Sequence, residues 1–145
     1  MTRQPPASLP IATGAPQQFV VSHQRDEDFK TDGLRPYAAY RDLGFVEATG
    51  GTVRAHVIRN VAPFKAEDVA HRHYHEVGFQ MVYVIKGWLR GEYEGQGEIT
   101  MRAGSCWLQP SGLKHTVLGY SDDLELLEVI MPAEFPTVDV PGASA

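Results

Sequence analysis

The run His71–Gly87, HRHYHEVGFQMVYVIKG, constrains the fold more than any other part of the chain. Gln80–Lys86 is its most β-prone stretch, and nearly continuous apolar residues there call for cover on both faces. Just upstream, His73 and His75 stand two residues apart, so on a strand both imidazoles leave the same face. A third, His115, follows Gly104, Pro110 and Gly112 in GSCWLQPSGLKHTVLG. Imidazole is a common ligand of divalent transition metals. A covered sheet with three such donors reads as a metal-binding β-barrel.

The rest of the chain is punctuated in the same style. Phe19–His23, Thr52–Asn60, Trp88–Glu94, Glu98–Met101, Ser105–Gln109, His115–Tyr120 and Leu124–Met131 are short β-rich runs. Gly95-Gln96-Gly97 and Ser121-Asp122-Asp123 read as turns, and Asp42–Gly51 is turn-rich. One helical turn is expected near Ala66–Ala70. Short strands at this spacing make a sandwich or a barrel. Residues 1–17 are expected to be a flexible lead-in, 18–135 a single barrel domain, and 136–145 a flexible tail.

At 145 residues the chain suits one domain with a real core. A net charge of −5 with no basic cluster argues against a nucleic-acid partner. No apolar run reaches the roughly 20 residues of a membrane span, and the N-terminus lacks a secretory apolar core. One cysteine, Cys106, rules out an intrachain disulfide and suits a cytoplasmic setting. Cys106 lies within a β-rich run and is expected to be a small buried hydrophobe. The acids of Ser121–Glu128 are expected to face water.

His73, His75, Gln80 and Gly87 spell H-x-H-x4-Q-x6-G; Gly104, Pro110, Gly112, His115 and Gly119 spell G-x5-P-x-G-x2-H-x3-G. Together they closely resemble the two motifs of the cupin superfamily. The resemblance implies an all-β fold, the double-stranded β-helix or jelly-roll barrel, often dimeric. It implies one divalent metal (Fe, Mn, Ni or Zn) on His73, His75, Gln80 and His115. This chain departs from the family pattern at Gln80, where cupins place Glu, and at Gly119, where they place Asn. Three imidazoles and a neutral amide leave the metal its full charge, which favours anionic ligands. On this reading Gln80→Glu would tighten metal binding.

The neighbours add candidates for acid–base work. His71 has the parity of His73 and His75, and the pocket rim is its expected place. Glu76 has the opposite parity and would be solvated. Arg54 and His56 share a face; inward they would address an anionic substrate, and the outer face is their expected position. A metal-dependent enzyme of dioxygenase, decarboxylase or isomerase type, acting on a small organic acid or polar metabolite, is the leading functional expectation. The alternative is a non-catalytic cupin that binds a small molecule or metal as a sensor or store. The apolar Met81–Tyr83–Ile85 face suggests a homodimer.

Overall fold

The computed structural model describes residues 16–31 and 35–144, with side chains through residue 141. In chain order its strands are β1 (Ala38–Asp42), β2 (Arg54–Asn60), β3 (His71–His75), β4 (Phe79–Lys86), β5 (Trp88–Tyr93), β6 (Gly97–Arg102), β7 (Cys106–Leu108), β8 (His115–Tyr120), β9 (Glu125–Met131) and β10 (Thr137–Ser144). They form two five-stranded antiparallel sheets, ordered β1-β2-β9-β4-β7 and β10-β3-β8-β5-β6. The non-consecutive neighbours are the crossovers of a jelly-roll barrel. Helical structure is confined to a 3-10 turn (Asp26–Asp28), α1 (Phe45–Ala48) and α2 (Ala66–Val69) among the described residues.

Strand alternation divides the interior. Along β4, Gln80, Val82 and Val84 are buried, whereas Tyr83 and Ile85 are exposed. Val84 joins Val69, Leu89, Tyr120 and Leu124 in an apolar cluster, with Phe64 edge-on to Tyr120. Gln80 lies four residues away on the same inward face, about 13 Å along the strand. One end of the barrel is therefore filled with apolar side chains and the other with polar ones. Gly87, at φ 78°, makes the sharp bend into β5; a Cβ there would collide with Ser121 Oγ.

Three expectations need correction, and one strand was not foreseen. Phe19–His23 is not a strand, and Phe19 is almost wholly exposed: its β-prone residues find no partner edge. Ala38–Asp42 does form a strand. Its alanines favour β structure weakly, but their small size lets Ala38 and Ala39 bury against the barrel while β1 pairs with β2. Residues 137–144 are not a detached tail: β10 pairs with β3 through Thr137–His75, Val138–Tyr74 and Asp139–His73, covering an edge that would otherwise leave backbone groups unpaired. Cys106 is exposed, because β7 is an edge strand. The outer face of β4 and β7 presents Tyr83, Ile85 and Leu108 to solvent.

Candidate metal centre

Backbone register brings the three histidines together. His73 on β3 lies directly opposite His115 on β8, and His75 follows His73 on the same face. The turn before β8 is held to the end of β3, since Gly112 N donates to His75 O at 2.9 Å. Gly112 sits at φ 81°, where glycine is unstrained, so the turn places His115 without backbone cost. One nitrogen from each ring lies within 4.8 Å of the other two. The ring centroids are 4.3 to 5.3 Å apart.

The remaining nitrogens fix ring orientation. His73 Nδ1 bonds His71 O at 2.7 Å, and His115 Nδ1 bonds Leu113 O at 2.9 Å. A carbonyl only accepts, so both rings carry their proton on Nδ1 and leave the lone pair on Nε2. His75 Nδ1 is 2.9 Å from Thr137 Oγ1 on β10. Burial, the neighbouring imidazoles and Arg35 depress protonation, to about 4 for His75 and about 3 for His115; burial also lowers His73. Three neutral imidazoles, with the lone pairs of His73 and His115 fixed on Nε2, suit a divalent transition metal.

Gln80 reaches the same end of the barrel from the opposite sheet and is 2% exposed. Its Nε2 donates to Glu128 Oε2 at 2.9 Å, and its Oε1 accepts from Gln109 Nε2 at 3.3 Å. The same Gln109 nitrogen is 3.4 Å from His115 Nε2, while Gln109 Oε1 accepts from the Trp107 indole at 3.3 Å. Glu128 stands directly across from His56, whose Nε2 is 2.7 Å from Oε1. Burial opposes the charge on Glu128, but the hydrogen bond and field of His56, with Arg35 and the Gln80 amide, outweigh it and hold the carboxyl at about 2. His56 and Arg54 thus face inward, contrary to expectation, because β2 is covered on both faces.

A cavity of about 680 Å³ opens beside this row, lined among others by His75, Gln80, Glu128, His56, Arg54 and Arg35. A smaller one of about 310 Å³ is lined by His73, His71, Arg35 and Asp139. Arg54 is engaged by Ala133 O and Glu134, each at 3.0 Å. Arg35 borders both cavities, and no described carboxylate lies within ion-pair distance of it. His71 is exposed at the rim, its Nε2 2.9 Å from Glu67 O. Glu76 is exposed and lines neither cavity.

A β-barrel with a three-histidine cluster at one end of its interior defines the class. The Cupin domain family model matches residues 61–130. Over that stretch, just under half of its length, the chain is similar to the cupin family. Solved structures sharing the fold include KdgF from Halomonas sp. (17% identity, TM-score 0.59, covering 81% of this chain and 96% of that one). The polyketide cyclase RemF from Streptomyces resistomycificus is similar too (20% identity, TM-score 0.64, covering 85% and 87%). So is a variant of salicylate 1,2-dioxygenase from Pseudoaminobacter salicylatoxidans in complex with gentisate (13% identity, TM-score 0.57). That match covers 76% of this chain but 31% of the dioxygenase. Among curated proteins, none matches the sequence.

Glu128, Gln109, Thr137 and Arg35 were not expected at the site. For Glu128 a signal existed: on an alternating strand it shares a face with Leu124, Leu126 and Ile130, so burying them buries a carboxylate that then needs a partner. Its folded-state protonation lies below the ordinary glutamate value of 4.5, so the stability it contributes is complete above that pH and is lost as pH falls through about 2. Urea unfolding between pH 5 and pH 2 should therefore show a shallower loss of stability in Glu128→Gln than in the wild type. Equal slopes would mean that Glu128 is not held ionised.

Proposed function

We propose that this cupin is a metal-dependent enzyme acting on a small organic acid, with His73, His75 and His115 as the metal ligands and Gln80 as a fourth. The observation that carries the reading is the convergence of three imidazoles, of which His75 lines the larger cavity and His73 the smaller, with Arg35 bordering both. Bound Fe, Mn, Ni or Zn would supply Lewis acidity, and dioxygen chemistry if redox-active. The chain's own residues do the rest. Arg35 pairs with the substrate's anionic group, since its guanidinium presents a planar fork to a carboxylate. His75 and Gln80 form the wall against which the reacting end lies. Phe135, edge-on to His75 at 5.5 Å, limits water on that side.

Reactions of dioxygenase, decarboxylase or isomerase type are each consistent with a site of this kind. The dioxygenase type is supported by a structural neighbour captured with gentisate, a small aromatic acid. The lone cysteine fits a cytoplasmic enzyme. The exposed Tyr83, Ile85 and Leu108 face supports a homodimer joined through β4 and β7. Light scattering should then give twice the chain mass, falling to the single mass in Leu108→Asp; a monomeric wild type would contradict it.

Elemental analysis of untagged protein, purified without chelator, should find about one transition metal per chain, lost in His115→Ala. In thermal-shift screening of the metal-loaded protein, small carboxylic acids should stabilise the wild type but not Arg35→Ala, which keeps its metal. Absence of metal even after anaerobic reconstitution would overturn the metalloenzyme reading. Equal stabilisation of Arg35→Ala would overturn the role of Arg35.

A further inference from the structure

The amide of Gln80 is one of the largest fully buried side chains in the barrel, and its orientation is determined. An ionised carboxylate has no proton to give, so Glu128 must accept from both neighbours. His56 Nε2 donates to one oxygen at 2.7 Å and Gln80 Nε2 to the other at 2.9 Å. The Gln80 nitrogen therefore points to β9, and its oxygen points the other way. On that side stands Gln109 Nε2, 3.3 Å from Gln80 Oε1 and 3.4 Å from the metal-facing nitrogen of His115. The Gln80 oxygen is thus presented toward the histidine cluster from the opposite sheet.

We propose that Glu128, braced by His56, is the positioning residue of the metal centre: it aims the Gln80 oxygen at the metal and supplies, one hydrogen bond back, the negative charge that the amide lacks. A carboxylate accepting from an amide N–H polarises that amide and builds negative charge on its oxygen, making it a better donor. The net charge close to the metal is then that of a carboxylate site, although the coordinating group is neutral. The inference rests on the reading of Gln80 as a ligand. It also reverses the expected effect of Gln80→Glu. A carboxylate at position 80 would lie against Glu128 with no donor between them, a like-charge contact in a buried place.

Zn(II) affinity of the purified full chain, measured by competition with a chromophoric chelator, separates the possibilities. Glu128→Gln should weaken binding roughly 10- to 100-fold, the usual effect of losing a partner of a metal ligand. Gln80→Ala should weaken it at least as much, and Gln80→Glu should bind no tighter than the wild type. The double variant Gln80→Glu, Glu128→Gln exchanges the two groups, keeps the hydrogen bond and the charge, and should return to within about threefold of the wild type. Wild-type affinity in Glu128→Gln beside a weakened Gln80→Ala would overturn the role of Glu128 while leaving Gln80 a ligand. Wild-type affinity in Gln80→Ala would overturn the reading of Gln80 itself. If Glu128→Gln does not fold, Gln80→Glu against the double variant decides: tighter binding in the single variant overturns the proposal.

Discussion

Three imidazoles can share one small buried volume only if none is charged and each has its second nitrogen engaged. Both conditions follow from backbone geometry here. The opposed positions of His73 and His115 bring two rings together, and carbonyls two residues back hold their Nδ1 protons. β10 adds Thr137 beside His75, so the C-terminal strand has a direct part in orienting a ligand. Burial then keeps His75 and His115 uncharged far below neutral pH. What remains is a cluster of uncharged ring nitrogens within reach of one cation.

The opposite sheet answers with a different chemistry. β2, β9 and β4 set His56, Glu128 and Gln80 in a row across the barrel, with every hydrogen bond directed by the charge on Glu128. A buried carboxylate is expensive to keep without partners, and two donors on flanking strands supply them. The barrel thus separates its tasks: apolar packing around Val84 at one end, three imidazoles on one wall of the other end, and a negatively charged brace on the facing wall.

Much of this was legible in the sequence wherever a face had to be either wet or dry. The alternation of β4 and the parity of His73 and His75 follow from period-two geometry alone, and the two cupin motifs gave the barrel and the third histidine. What escaped was set by pairing rather than by propensity. β1 is built on alanines and β10 on a segment containing glycine and proline, and each is a strand because a neighbouring edge needed one. Glu128 and His56 were expected outside because charge usually stays in water; each is inside because the other is there. Such a pair is visible only once the register of β2 against β9 is known.

X-ray absorption at the cobalt edge of Co(II)-loaded protein tests the central claim most directly, because it reads the ligands without needing a substrate. Three imidazole nitrogens are expected, seen by their ring multiple scattering, with oxygen ligands beside them at about 2.0–2.2 Å. One imidazole or none, or a shell of oxygen alone, would contradict the three-histidine centre on which the proposed chemistry depends.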